Sequence, residues 1–326
     1  MNPVITFEDV VAAAARIAPF CHRTPVMTSG TLDALSGMRL FFKPENLQRT
    51  GSFKCRGASS AVAVLAAAGV RAVATHSAGN HGAALAFAAR AHGLACHVVV
   101  PATAPRVKKD AIEGYGARLV LCEPTLAARE TTCVAVCAET GATLVPPYDH
   151  PDIMAGQGTV ALELVADAPE LDALLVPVGG GGLCAGMCVA ARHLAPRLRI
   201  FGVEPALADD ARRSLAAGTI IPSTYPDTVA DGLRTSLGEL TFPVLRSHLE
   251  DILTVDEAGI LEAMELIYTR LKLVVEPSGA VGLAAALANR ERFGSLRVGV
   301  VLSGGNVDPS RLGPFFSERA AKAARP

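Results

Sequence analysis

Short β-branched apolar runs alternate with alanine-rich helical runs along almost the whole chain, and that alternation constrains the fold more than any other feature. Residues 72–75, 96–100, 118–121 and 143–145 read as strands, separated by helical stretches at 83–91, 106–115 and 126–139. The pattern resumes with strands at 173–178, 199–203 and 298–302. Strands joined by helices run parallel and need helices on both faces. The expected class is therefore α/β, with two open, mainly parallel twisted sheets. Residues 73–148 hold one complete strand–helix series ending in the loop 146–151. They are expected to form a smaller, mobile domain inserted in a large one built from 1–72 and 149–326. The charge-rich tail after Phe316 reads as a solvated end.

Composition narrows the function. The chain has 326 residues, 50% hydrophobic and 19% charged, which suits a large globular core rather than disorder. Thirty Lys and Arg against 31 Asp and Glu leave a net charge of -1, so no global field draws it to nucleic acid or an anionic membrane. Aromatics at 5% and no tryptophan argue against base-stacking platforms and interfacial belts. Eight cysteines without paired spacing fit reduced thiols. Cys133 and Cys137 could share a helical face, but nothing nearby supplies a second pair of metal ligands. The first residues carry acids where a signal peptide would carry Lys or Arg. The uncharged stretch 173–191 is broken by Pro177 and four glycines, a strand–turn–helix rather than a membrane span. A soluble cytoplasmic protein is expected, with neither nucleic-acid nor membrane partners.

In open α/β sheets ligands bind beyond the carboxyl ends of strands. Three such ends are rich in small residues: His76-Ser77-Ala78-Gly79-Asn80-His81-Gly82, then Gly179, Gly180, Gly181 and Gly182 ahead of a helix opening at Leu183, and Ser303-Gly304-Gly305-Asn306. Unpaired amides and the helix dipole make such turns anion sites, although glycines also serve simply as tight corners. Gly180 to Ala185 additionally fits G-x-G-x-x-A, with Glu204 about 20 residues on, so an NAD-dependent dehydrogenase is a competing reading. Against it, the unit lies mid-chain and Glu204 opens an acidic group that includes Asp209 and Asp210. No P-loop pattern is present.

Lysines are sparse. Lys43, Lys108, Lys109, Lys272 and Lys322 read as surface or terminal residues, whereas Lys54 lies between Phe53 and Cys55, just before an apolar helix. Two readings fit Lys54. Buried, its ammonium loses solvation and the amine becomes nucleophilic; snorkelling, it keeps an ordinary charge.

Taken together, GSFKCRGA, SAGNHGAALA, VPVGGGGL and VLSGGN resemble the signatures of fold-type II (tryptophan synthase beta-like) pyridoxal-phosphate enzymes, in the serine/threonine dehydratase and serine racemase branch. PENLQRTGSFK, AGQGT, VEPALADD and ADGLRTS extend the resemblance over nearly the whole chain. It implies that Lys54 holds the cofactor covalently and serves as base at Cα, that Gly179, Gly180, Gly181 and Gly182 cradle the phosphate, and that Asn80 bonds the ring hydroxyl. Phe53 would flank the ring and Ser303 would face the pyridine nitrogen. Ser77, Gly79, Asn80 and His81 would grip the substrate carboxylate, with closure of the smaller domain excluding water.

The same resemblance makes individual residues informative. Ser303 adds no negative charge, so the ring nitrogen stays largely neutral and elimination of a β-leaving group is favoured over transamination. The implied reaction is dehydration and deamination of a β-hydroxy amino acid of the threonine/serine type to a 2-oxo acid and ammonia. Racemases of this branch have a serine as opposite-face acid where this chain has Ala78. Cysteine synthases carry T-S-G-N-T-G and S-x-K-D-R in place of SAGNHG and SFKCR. The short stretch after SGGN implies no regulatory domain of the biosynthetic threonine deaminases. Glu204, Ala208 and Asp210 match the family's Mg²⁺ or Ca²⁺ site, while also suiting a helix N-terminus. Arg129 matches a position facing the substrate in racemase-like relatives, where it could pair with the distal carboxylate of 3-hydroxyaspartate; it reads equally as a surface residue. Tyr148 could widen or polarise the pocket, leaving phenylserine open as a substrate. A small amino-acid substrate and a homodimer complete the expectations.

Overall fold

In the computed structural model, which describes residues 3–224 and 226–323, nine strands form two sheets. In chain order they are β1 (Arg39–Pro44), β2 (Ala72–Thr75), β3 (Ala95–Pro101), β4 (Arg118–Cys122), β5 (Thr143–Leu144), β6 (Ala173–Pro177), β7 (Arg199–Pro205), β8 (Asp251–Val255) and β9 (Arg297–Leu302). The helices before β6 are α1 (Phe7–Ile17), α2 (Gly30–Ser36), α3 (Lys54–Ala67), α4 (Asn80–Ala91), α5 (Arg106–Gly114), α6 (Leu126–Thr140) and α7 (Pro151–Asp167). After it come α8 (Gly182–Leu194), α9 (Asp210–Ala217), α10 (Thr241–His248), α11 (Glu257–Leu266), α12 (Pro277–Ala288), α13 (Arg290–Phe293) and α14 (Pro309–Ala323).

The large sheet has order β1-β9-β6-β7-β8 and the small one β4-β3-β2-β5, with every ladder parallel. This is the α/β architecture expected from the alternating pattern. From β6 the chain winds outward through β7 and β8, then returns to the other side as β9. From β2 it winds through β3 and β4, then returns as β5. Each sheet thus has one switch point, β6/β9 and β2/β5, where the crevice for a ligand opens. Separate apolar clusters cover the two faces of each sheet.

Helix α7 lies between α3 and α8 at backbone contact. A methyl group on Gly156 would stand 2.7 Å from the Gly57 Cα, and one on Gly158 would stand 2.7 Å from the Gly186 carbonyl oxygen. Such distances leave no room for any side chain at these positions.

Several expectations need correction. Strands β1 and β8 were not anticipated. Lys43, expected at the surface, is fully buried on β1, its Nζ 2.6 Å from Glu163 Oε2 and 2.6 Å from the Thr24 carbonyl oxygen. Glu163 also accepts from Arg56, which in turn pairs with Glu45 at 2.7 Å, so these interior charges compensate one another. Consistent with either outcome for its solvation, the chain past Phe316 is helical as far as Ala323, the end of α14. No helix among the described residues is long and apolar enough to cross a membrane.

Candidate active site

Both switch points open onto Lys54. It is the first residue of α3, in a segment tied to the end of β9: the Phe53 N–H donates to the Ser303 carbonyl at 3.0 Å, and Ser52 bridges to Gly304. Its Nζ donates at 2.6 Å to the carbonyl of Pro147, just beyond β5, and stands 5.0 Å from the Phe53 ring centroid. Burial of the amine pushes its pKa down to about 8, partly countered by the Glu276 charge. The enclosed-amine reading of Lys54 is the one the structure supports.

The four glycines follow β6, and α8 opens at Gly182. Gly181 sits at φ +89 as the cap residue, a backbone conformation that favours glycine. The Gly180 carbonyl accepts from the Thr241 hydroxyl at 2.8 Å and from the Gly238 N–H at 3.3 Å, which pins the loop from behind. A side chain at Gly180 would run into the Tyr148 ring. Tyr148 is placed there because Asp149 caps α10, accepting from the Leu240 N–H at 2.9 Å. The loop is a tightly held corner, and it stands at the N-terminus of α8, whose dipole suits an anion.

Asn80 opens α4 after β2. Its Nδ2 donates to Glu276 Oε1 at 2.7 Å, and its Oδ1 accepts from Asn306 Nδ2 at 2.8 Å. These bonds join the small sheet's loop to the large sheet's, as does the Lys108–Asp231 ion pair at 2.7 Å from α5. Ser77 and Gly79 lie half-buried between β2 and α4, and the first-turn amides of a helix are free to bind an anion. His81 is different. Its Nε2 is 3.0 Å from the Val145 carbonyl oxygen, and burial drives its pKa to about 3, so the neutral ring props α4 and only its amide is left for a carboxylate. Ala78 packs its methyl against the small-sheet core. Ser303, at the end of β9, has its Oγ 3.3 Å from the Ser278 carbonyl oxygen.

Arg129 occupies the first turn of α6, half-buried, close enough to His76 that its charge adds to burial in lowering that imidazole's pKa. Farther along the large sheet, Glu204 ends β7, Ala208 lies in a 3-10 turn and Asp210 opens α9. Burial raises Glu204 to about 8 and Asp210 to about 6, and Asp210 Oδ2 is buried without a partner. Glu204 accepts the Ala211 and Arg212 amides at 3.1 and 2.8 Å. Each Glu204 oxygen thus binds the start of α9, a use for which the dinucleotide reading has no place.

The strand-end motifs therefore converge, whereas Glu276 and Asn306 were missing from the expected site. Glu276 precedes Pro277 at a helix start and reads locally as an ordinary cap.

A family model described as "Pyridoxal-phosphate dependent enzyme" matches residues 17–304. The chain belongs to that family. Among pyridoxal-phosphate-dependent enzymes it is 48% identical over 308 residues to a protein of Paracoccus denitrificans (strain Pd 1222) named beta-hydroxyaspartate dehydratase, covering 94% of this chain and 98% of that one. It is also 48% identical over 314 residues to an Arabidopsis thaliana protein named serine racemase, covering 94% and 95%. The structure of maize serine racemase superposes with a TM-score of 0.92 at 42% identity, covering 99% of this chain and 100% of that one. The site fits the family's cofactor: an enclosed amine, a four-glycine cradle at a helix N-terminus and a hydroxyl, not a carboxylate, at the end of β9.

Proposed function

We propose that this pyridoxal-phosphate-dependent enzyme is a carbon–nitrogen lyase that takes a β-hydroxy amino acid to a 2-oxo acid and ammonia, with 3-hydroxyaspartate as its preferred substrate. Lys54 would hold the cofactor, with the glycines 179–182 around its phosphate, Asn80 at its ring hydroxyl, Phe53 beside the ring and Ser303 at its nitrogen. Bound pyridoxal phosphate supplies an electron sink for the pair left at Cα when the proton departs.

The protein's own groups account for the rest. The amides at the start of α4, with Ser77 and Gly79, hold the α-carboxylate. Lys54, with its pKa brought to about 8, has a useful fraction of free amine near neutrality and takes the Cα proton. The β-hydroxyl leaves as water, and hydrolysis of the released enamine consumes one water and frees ammonia. Two links across the cleft, Asn80–Glu276 and Lys108–Asp231, keep solvent away during these steps. Ala78 offers a methyl group where an acid on the opposite face would be needed, which favours elimination over racemisation.

Arg129 carries the substrate assignment. Its guanidinium makes no ion pair with the described residues and stands by the substrate loop, where a distal carboxylate would neutralise it. Both enantiomers of serine, threonine, 3-hydroxyaspartate and phenylserine should be compared by 2-oxo acid release. A charge-assisted bond of about 1.5–3 kcal/mol predicts that Arg129→Met raises KM for 3-hydroxyaspartate by roughly 10- to 150-fold while leaving serine within about twofold. Higher kcat/KM with serine or threonine than with 3-hydroxyaspartate would refute the assignment. Glu204, Asp210 and the Ala208 carbonyl offer hard oxygen donors for Mg²⁺ or Ca²⁺ in a stabilising role, supported by the orphaned Asp210 Oδ2.

A further inference from the structure

Cys21 and Cys55 are 34 residues apart in sequence, yet their sulfurs lie 3.7 Å from each other. Cys21 is half-buried in the turn after α1, while Cys55 is fully buried in the first turn of α3, next to Lys54. Cys133 and Cys137, and likewise Cys184 and Cys188, are each neighbours on a single helix, so bridging them would join nothing new. A bridge between Cys21 and Cys55 would fasten the turn to the helix that carries the active-site amine.

We propose that Cys21 and Cys55 form a reversible oxidation site, at which a peroxide-class oxidant converts the two thiols to a disulfide and thereby slows turnover. The hydrogen bond from the Cys21 thiol lowers the pKa of Cys55 against the opposing effect of burial, and raises that of Cys21. Peroxide meets the pair from the side of the half-buried Cys21, and one sulfur attacks it, breaking the O–O bond to give a sulfenic acid and one water. The other sulfur then displaces the sulfenic hydroxyl, which leaves as a second water. Two thiols and one hydrogen peroxide thus become one disulfide and two waters, the sulfurs being oxidised and the peroxide oxygens reduced.

The geometry links this bond to activity. The sulfurs must approach by about 1.7 Å to reach disulfide length. Helix α3 cannot retreat, because Gly57 is pressed against α7. The turn is held as well: Gln48 brackets His22, accepting its N–H at 2.7 Å and donating to its carbonyl at 2.8 Å. A bridge would tether the first turn of α3, and Lys54 with it, to that turn. A displacement of about 1 Å at a reacting group can cost about 100-fold in rate.

Holoenzyme treated with hydrogen peroxide, then digested without reductant, should yield a peptide joining Cys21 to Cys55, with free thiols reduced by two. kcat should fall at least tenfold and recover with dithiothreitol. Cys21→Ser should turn over normally and lose both responses; Cys55→Ser serves as the second variant if the first folds poorly. No joined peptide, a joined peptide with kcat within twofold of the untreated enzyme, or an unchanged peroxide response in Cys21→Ser would each overturn the proposal.

Discussion

Replacing Glu276 by Gln should flatten much of the protein's pH-dependent stability. Glu276 is 6% exposed, and its carboxyl is pushed up to about 8 from an ordinary 4.5, first by burial and then by the Asp231 charge. Hydrogen bonding from Asn80 and the Lys108 charge oppose the rise. The folded carboxyl thus holds its proton more tightly than the unfolded one. Unfolding releases that proton, so raising the pH through the window from 4.5 to about 8 favours the unfolded chain. At about 1.4 kcal/mol per pH unit, wild type should lose about 3 kcal/mol from this group between roughly pH 5.5 and 8, and no more once the folded carboxyl is ionised. Gln mimics the protonated carboxyl and still accepts from Asn80 Nδ2, so the variant should lack this component. Glu204 and Asp210 are raised too and act with the same sign, so the informative quantity is the difference between the two proteins. Urea melts of the apoprotein across that range supply it without cofactor affinity entering. Parallel curves, differing by less than about 0.5 kcal/mol in their pH dependence, would refute the reasoning.

Three other perturbations test separate parts of the structure. Lys108→Met removes a half-exposed ion pair across the cleft, worth at most about 1 kcal/mol, so KM should rise about two- to fivefold with kcat unchanged or higher in steady-state assays. Gly156→Ala places a methyl 2.7 Å from the Arg56 carbonyl oxygen and the Gly57 Cα, and should cost about 1–3 kcal/mol in melts together with a lower kcat. Mg²⁺ or Ca²⁺ should raise the melting temperature of wild type but not of Asp210→Asn, and chelator should reverse the gain.

The sequence was most readable where local rules suffice. Small residues after β2, β6 and β9 marked the strand-end turns that meet around Lys54, because a tight corner with bare amides needs them. Strand β1 was obscured by Lys43, whose charge reads as surface until Glu163, 120 residues away, is seen to meet it. Glu276 stayed hidden for the same reason. Its role depends on Asn80, 196 residues distant, and no periodicity links the two. Lys54 stood between two readings until Pro147 and the burial around its amine were visible. Long-range pairing of polar groups was the missing information, and hydrophobic patterning does not encode it.

The glycine contacts of α7 give the site a fixed gauge. With α3 and α8 both seated on α7 main chain to main chain, no side-chain rotamer sets the spacing between the backbone that carries Lys54 and the glycine loop at the start of α8. Residues such as Arg129 and Ala78 sit on the other, small-sheet side of the cleft. Selection acting on them could retune which molecule is accepted while the machinery that holds the coenzyme keeps its calibration.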